Sequence, residues 1–288
     1  MDRKHTPDAN CISPTRSQGL TLEVLMSCMH QTDDSLVSAS RLTGDVVVVN
    51  QCDREDYREY PSRDGTVRMY STTQRGLTRS RNMAIAKAKA DICLLCDDDE
   101  TFVENYREAI CDAYRKIPQA DVLIFKMVDR RRSFPDWKLR LYFPLTMRVG
   151  SWQISFRRDR ILASGIRFDE LMGAGSGNGA EEELKFLWDC QKAGLKIYYL
   201  PVEIASVAQI HSTWFHGHTQ QYFEDRGSTT RYIMGPVLSH MYAVYYTLLK
   251  YGTCGDILSP WQAYQATLRG IRGNKLSKLA KAEQERRG

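Results

Sequence analysis

Short apolar runs alternate with helix-like segments through the first half of the chain. The apolar runs are typical of short strands covered on both faces, and they lie at 22–28, 45–50, 67–70, 92–96 and 121–125. Helices are predicted at 77–90 and 103–117, with a further helix start at 32–35. Charged residues around Pro61 predict a loop at 53–65. This alternation predicts a parallel α/β sheet with helices on both faces.

The second half of the chain is less regular. Strands are predicted at 152–156 and at 196–200, where Pro201 follows, and a glycine-rich loop at 173–179 leads into a helix at 181–193. The chain is then helical from about 222 to 251 and ends in a basic tail. The predicted organisation is an extension at 1–20, a domain at 21–218 with halves at 21–125 and 126–218, and a C-terminal helical region at 219–288.

The composition fits a globular protein and limits its partners. Of the 288 residues, 42% are hydrophobic and 26% are charged, so a sizeable core is available. The net charge of +5 suits a phosphorylated substrate or an anionic surface, but it is too weak to indicate nucleic-acid binding. The sequence has no transmembrane stretch, and residues 1–20 lack the apolar stretch of a signal peptide. A cytoplasmic location is therefore expected.

The eight cysteines are scattered along the chain. Cys93 and Cys96 form a C-x-x-C pattern, but they fall within a predicted strand, where they would point to opposite faces. No second C-x-x-C accompanies them. We therefore expect buried thiols in a reducing compartment rather than a zinc or redox site.

Four carboxylates, from Asp97 to Glu100, directly follow the strand predicted at 92–96. Open α/β sheets bind ligands at the C-terminal ends of their strands. Adjacent acids repel one another and raise each other's pKa, and a divalent cation would relieve that repulsion. Mg²⁺ and Mn²⁺ prefer carboxylate oxygens. On this segment alone, a solvated acidic turn is the alternative.

Four segments, in this order, resemble the family 2 glycosyltransferases. GLTRSRNMA at 76–84 resembles the family's Arg-Asn helix start, and LLCDDD at 94–99 resembles its Asp-x-Asp motif. GAEEELKFL at 179–187 resembles its second acidic motif, and GLKIYYLP at 194–201 resembles the strand that follows. The resemblance spans about 22–215. It implies a GT-A fold, which is a Rossmann-like nucleotide-binding sheet, with the nucleotide sugar bound by 21–125 and the acceptor by 126–218.

The resemblance also implies a metal site of Mn²⁺ or Mg²⁺. Asp99 would ligate the metal, and Asp98 would contact the ribose or the metal. Asp97 is the other member of the Asp-x-Asp pair and is assigned to both donor and metal. His211, after the strand at 196–200, is a candidate for a further ligand, and a capped or surface histidine is the alternative.

Donor binding is assigned to Arg81 and to the ends of the first two strands. Arg81 would face the diphosphate, and pairing with a strand-end acid is the alternative. The family ends these strands with Pro-Thr-Tyr-Asn and Asp-Asp-Gly-Ser types of sequence, whereas this chain has SCMH at 27–30 and NQCD at 50–53. Cys28, at the end of the first strand, is assigned to donor binding. Because an amide both donates and accepts, Asn50 or Gln51 could pair with a uracil edge.

The resemblance implies that the second acidic motif supplies the catalytic base. Aligning EELKF at 182–186 with the family's Glu-Asp-x-x-Phe makes Glu183 the base, and Glu182 is the alternative. A single displacement assisted by a base inverts the anomeric centre, so an inverting transfer is predicted. A helix-start cluster placed only for the helix dipole is the competing interpretation.

The acceptor and the membrane are predicted from the second half. Trp152 and Trp214 are candidates for acceptor binding because aromatic faces suit sugar rings, although buried aromatic residues are more often core. The stretch 234–249 and the basic tail suit an anionic membrane surface, and a helix packed on the core is equally compatible.

The predicted function is the inverting, metal-dependent transfer of a sugar from a UDP-sugar to a glycan or lipid-linked acceptor, as in bacterial capsule, exopolysaccharide or cell-surface glycan synthesis. One alternative is a nucleotidyltransferase acting on a sugar phosphate. It would usually carry a glycine-rich basic loop after strand one, which 27–34 lacks. The other is a non-catalytic nucleotide-sugar-binding module, which would not need both acidic motifs.

Overall fold

The structure is a computed structural model that describes residues 19–128, 134–178, 181–208, 217–253 and 257–287. Its strands are β1 (Leu22–Met29), β2 (Asp45–Gln51), β3 (Asp56–Ser62), β4 (Gly65–Thr72), β5 (Ile92–Cys96), β6 (Glu100–Phe102), β7 (Val122–Met127), β8 (Leu139–Arg140), β9 (Ile154–Arg157) and β10 (Ile197–Val207). Its helices are α1 (Ser35–Ala39), α2 (Leu77–Lys87), α3 (Tyr106–Lys116), α4 (Arg158–Ser164), α5 (Glu182–Lys192), α6 (Gln220–Ala243), α7 (Pro260–Gly273) and α8 (Lys275–Arg287).

The strands in these ranges form one mixed sheet. Its order is β3-β4-β2-β1-β5-β9-β7-β10-β6, and β8 pairs with β10. The strands β4, β2, β1 and β5 are parallel, as predicted, whereas β9 runs antiparallel to both of its neighbours. The four parallel strands therefore end at the same edge of the sheet, where the acidic segment after β5 begins.

The loop predicted at 53–65 is wrong. Residues 56–62 form β3, an antiparallel edge strand paired with β4. Proline is tolerated in an edge strand because its missing N–H can face solvent, so Pro61 does not break the pairing. The predicted end of the strand at 196–200, before Pro201, is also wrong. The strand continues as β10 to Val207, with a shift of register against β7 between Leu200 and Glu203.

Side chains of the sheet pack into two separate clusters, one on each face. On β1, Val24 and Met26 join the cluster that includes α1 and α3, whereas Leu25 joins the cluster that includes α2, α4 and α5. The alternation follows from the two-residue period of a strand. Cys93 and Cys96 lie in opposite clusters as buried free thiols, as predicted. Helices therefore cover both faces of the sheet.

The C-terminal helices pack against α5. Ile233, Met234 and Leu276 share a cluster with Leu184 of α5 and with Met172. The helix α6 is kinked at Gly235, whose φ is 77°, and the chain remains helical over Val244–Lys250. The basic tail predicted at 269–287 lies largely in α7 and α8. Within the described ranges, no helix has the length and hydrophobicity that a bilayer crossing requires.

Two glycines allow α6 and α7 to approach closely. A Cβ added at Gly270 would lie 1.9 Å from the carbonyl oxygen of Glu224, and one added at Gly227 would lie 2.1 Å from that of Thr267. Gly270→Ala should therefore force the helices apart and destabilise the protein by about 1–3 kcal/mol, a Tm decrease of about 5 °C. Gly273→Ala is the matched control, because nothing lies within 4 Å of its added Cβ. Equal Tm values for the two variants would contradict this packing.

Candidate active site at the ends of the central strands

Arg81 joins the two acidic motifs. It lies in α2 and is only 1% exposed. Its Nη2 lies 2.9 Å from Asp97 Oδ1, and its Nη1 lies 3.3 Å from Glu182 Oε1 and 3.5 Å from Glu183 Oε1. Its guanidinium carbon lies 5.4 Å from the centre of the Phe168 ring. Three of the four segments on which the family resemblance depends therefore meet at one buried guanidinium.

The electrostatics of this cluster keep Arg81 charged. Burial lowers the pKa of Arg81, but the charges of Asp97, Glu183 and Glu182 outweigh that effect and raise it. The pairing with a strand-end acid, left open by the sequence, is present. A guanidinium this deeply buried reaches a donor only if the surrounding carboxylates move. Direct donor binding by Arg81 stays a prediction.

Asp97 is held from several sides at the end of β5. Ser151 Oγ donates to Asp97 Oδ2 at 2.7 Å, so both carboxylate oxygens are engaged by Arg81 or Ser151. The Asp97 N–H donates to Glu100 Oε1 at 2.8 Å. Asp97 therefore serves as an anchor for the acidic segment, and its donor and metal contacts stay predictions. Asp98 is exposed and Asp99 is half-buried beside it.

Glu100 differs from the three aspartates before it. Its side chain is buried, and its Oε2 has no hydrogen-bond partner. Burial, followed by the charge of Asp97, raises the pKa of Glu100 well above its usual value. Asp98 reaches solvent, but partial desolvation by the surrounding protein, followed by the charge of Asp97, raises its pKa as well. The burial of Glu100 sets it apart from the three aspartates, and this difference is visible only in the fold.

The carboxylates after β5 have the chemistry of a hard-cation site. Asp98 and Asp99 offer the oxygen ligands that Mg²⁺ and Mn²⁺ prefer. Among the described residues, no three His, Cys, Asp or Glu side chains are grouped to hold one ion. The fit is therefore to a metal that takes few protein ligands and shares a substrate diphosphate. His211 and Trp214 lie outside the described residues.

The two candidate bases have different surroundings. Glu182 is 4% exposed, and its Oε2 is buried without a hydrogen-bond partner. Burial, followed by the charge of Glu183, raises the pKa of Glu182. The Glu183 side chain is 18% exposed and lines a cavity of about 340 Å³, together with Trp152. The other lining residues include Lys126, Phe134, Arg148, Glu181 and Tyr199. Glu183 therefore faces a cavity that an acceptor could enter.

The ends of β1 and β2 are adjacent. Their polar side chains are largely hydrogen-bonded to other groups of the protein. Asn50 Oδ1 accepts from the Gln31 N–H at 2.9 Å, and its Nδ2 donates to the Gln31 carbonyl at 2.8 Å. Gln51 Oε1 accepts from the Gly76 N–H at 2.7 Å, which anchors the start of α2. Burial and the charge of Asp98 raise the pKa of Cys28 to about 12, so its thiol is neutral. Base recognition by these three side chains stays a prediction.

Comparison with known families decides the assignment. The family model described as "Glycosyl transferase family 2" matches residues 23–169, slightly more than half of the chain. The chain belongs to glycosyl transferase family 2. It is therefore a glycosyltransferase, and the nucleotidyltransferase and non-catalytic alternatives are set aside. None of the curated proteins matches the chain significantly.

Solved structures agree on the fold. Staphylococcus aureus TarS 1–349 in complex with UDP-GlcNAc is 15% identical, with a TM-score of 0.52 over 88% of this chain and 72% of that chain. TarS 1–349 in complex with UDP is 14% identical, with a TM-score of 0.51 over 83% and 76%. A longer TarS structure is 14% identical, with a TM-score of 0.51 over 88% and 43%. With the family match, this likeness confirms the predicted GT-A class.

Proposed function

We propose that this glycosyltransferase transfers a sugar from a UDP-sugar to a hydroxyl of a glycan or lipid-linked acceptor, with inversion at the anomeric carbon, in cell-surface glycan synthesis. The observation that carries the proposal is the convergence of both acidic motifs on Arg81. Beside this cluster, Asp98 and Asp99 follow the end of β5, and Glu183 lines the cavity. The TarS relatives were solved with UDP and UDP-GlcNAc, which supports uracil as the base to test first.

On the donor side, the proposed roles follow from position. Asp98 and Asp99 would hold Mn²⁺ or Mg²⁺, which when bound supplies Lewis-acid stabilisation of the leaving diphosphate. Ser151 and Arg81 fix Asp97, and the Asp97 N–H is bound by Glu100. These contacts hold the acidic segment rigid beside the exposed Asp98. Rigidity of this kind lowers the cost of placing charges around a transition state.

On the acceptor side, Glu183 is proposed as the general base and the cavity as the entrance for the acceptor. A base must lie within hydrogen-bond reach of the hydroxyl proton that it accepts. Glu183 faces the cavity, whereas Glu182 is enclosed beside Arg81. Trp152 forms part of the cavity wall, where its ring could pack on a sugar. Glu182 is then the buried partner of Arg81 rather than the base.

A panel of nucleotide sugars tests the donor assignment. Thermal unfolding and nucleoside diphosphate release would be measured with Mn²⁺ and UDP-, GDP-, CDP- or dTDP-linked sugars. A UDP-sugar at about 100 times its Kd should stabilise the protein by about 2.7 kcal/mol, and the other bases should have smaller effects. Neither a thermal shift nor diphosphate release with any nucleotide sugar would reject the proposal.

Contact with an anionic membrane is the proposed route to a lipid-linked acceptor. Val237, Met241, Tyr245 and Leu249 are exposed at intervals of four residues, so they form one apolar stripe along the part of α6 after its kink and the helical segment 244–250 that continues it. Trp261 is also exposed, and its indole suits the headgroup region. Exposed lysines at 275, 278 and 281 add positive charge.

The double variant Met241→Glu/Leu249→Glu tests this contact, because it places two charges within the stripe. Co-sedimentation with phosphatidylglycerol vesicles should fall at least about tenfold, since burying the stripe is what drives binding. Glu108→Gln on α3 is the control and should bind as wild type does. Equal sedimentation of all three proteins, or none at low salt, would contradict the proposal.

A further inference from the structure

Arg226 of α6 is half-buried, with 17% of its side chain exposed, in a cage of tyrosine rings. Its guanidinium carbon lies 4.3, 5.5 and 5.7 Å from the ring centres of Tyr246, Tyr242 and Tyr222. Its Nε donates to Tyr242 Oη at 2.6 Å, and its Nη1 donates to Tyr222 Oη at 2.9 Å. Nη1 also lies 2.8 Å from Glu181 Oε1. The tyrosines therefore hold the positive charge of Arg226 beside Glu181, the residue that precedes α5.

Glu181 has an unusual backbone conformation. Its φ is 82° and its ψ is 22°, in the left-handed region that residues with a Cβ rarely adopt. No side chain caps the start of α5. The carbonyl of Glu181 accepts the first hydrogen bond of the helix, from the Lys185 N–H at 3.0 Å. A strained residue is retained when its surroundings hold it in place, and Arg226 is the charged partner that contacts Glu181.

Three consecutive glutamates thus pair with two arginines from different parts of the chain, of which Arg81 is buried and Arg226 is half-buried. Glu181 pairs with Arg226 of α6, whereas Glu182 and Glu183 pair with Arg81 of α2. Desolvation lowers the pKa of Arg226, but Glu181 and the three tyrosines together outweigh that effect and raise it, so the guanidinium stays charged. The first turn of α5 is therefore fixed from both sides, and Glu183 on that turn lines the cavity.

We infer that Arg226 is a positioning residue of the glycosyl transfer: by holding Glu181 in its left-handed conformation, it aims Glu183 at the acceptor cavity. This inference rests on the proposed role of Glu183 as base. Arg226 itself is enclosed by the tyrosines, and it is Glu181 that reaches the cavity wall. The C-terminal helices consequently contribute to catalysis through the geometry of α5.

Arg226→Gln, Glu181→Gly and their combination test the inference. Glycine adopts the left-handed conformation without strain, so Glu181→Gly removes the need for Arg226. The rate of nucleoside diphosphate release would be measured with the nucleotide sugar that gives the largest thermal shift. Arg226→Gln alone should lower kcat about ten- to a hundredfold, with the donor KM within about twofold. In the Glu181→Gly background, the same change should alter kcat by less than about threefold.

Hydrogen exchange provides a measurement that does not depend on substrate. The Lys185 amide, which donates to Glu181, should exchange about tenfold faster in Arg226→Gln, while amides of α3 should keep their rates. Glu181→Gln breaks the same ion pair without changing α6 and should reproduce both effects. It serves as the test if Arg226→Gln does not fold.

Three results would overturn the inference. They are an unchanged kcat in Arg226→Gln, an equal loss of kcat with and without Glu181→Gly, and unchanged exchange at Lys185. An equal loss would mean that Arg226 acts on the substrate directly. Failure of the proposed function is distinguishable, because Glu183→Gln would then retain activity whatever the Arg226 variants do.

Discussion

Glu183→Gln should lower kcat by about 10²- to 10⁴-fold, the usual contribution of a general base. Glutamine has nearly the same shape and can still accept the Arg81 hydrogen bond, but it cannot take a proton from the acceptor hydroxyl. The donor KM should change little, because Glu183 lies on the cavity side and the donor is proposed to bind near Asp98 and Asp99. The measurement is steady-state release of nucleoside diphosphate in the presence of acceptor.

The matched comparison is Glu182→Gln. Glutamine keeps the size of Glu182 and its side-chain oxygen can still accept the Arg81 hydrogen bond, so we expect a kcat within about fivefold of wild type. Glu108→Gln, on the opposite face of the sheet, controls for the amide substitution itself. A large loss in Glu182→Gln with normal activity in Glu183→Gln would reverse the assignment of the base.

Asp99→Ala should abolish metal-dependent turnover, with a loss of at least about 10³-fold, because the metal contributes several kcal/mol to stabilising the leaving group. The side chain is only half-buried, so we expect the protein to remain folded. Initial rates measured across a Mn²⁺ titration, together with Mn²⁺ binding by calorimetry, check both parts.

Asp112→Ala is the control for this substitution. Asp112 is an exposed aspartate on α3 that pairs with Arg115 one turn away, and its removal should leave both turnover and Mn²⁺ binding unchanged. Normal activity of the wild-type protein in excess chelator would refute the metal assignment. Full turnover in Asp99→Ala would assign the metal to other residues.

The first half of the fold was accessible from the sequence because its strands are continuous apolar runs. The valines of β2 and the run that ends at Cys96 are covered on both faces, so pattern and structure agree. Sequence analysis failed where long-range pairing overrides composition. The charged strand β3 is formed because β4 supplies a partner at the sheet edge, and β10 continues through Pro201 because its neighbours hold it.

Motif order predicted which segments form the site, but it did not predict their contacts. The resemblance selected Arg81, the aspartates after β5 and the glutamates of α5, and the structure brings these groups together. Ser151 and Arg226 were missed because each lies far along the chain from its carboxylate partner, in a segment without a motif. The residue type at 181 likewise gives no indication that the Glu181 backbone adopts a left-handed conformation. Such contacts depend on tertiary packing alone.

The anomeric configuration of the product tests the central claim most directly. The proposed transfer is one displacement at the anomeric carbon, with Glu183 taking the proton of the acceptor hydroxyl. NMR of the product formed from an α-linked nucleotide sugar should therefore show a β-glycoside in the first turnovers. Retention of the α configuration would contradict the single displacement and, with it, the role of Glu183.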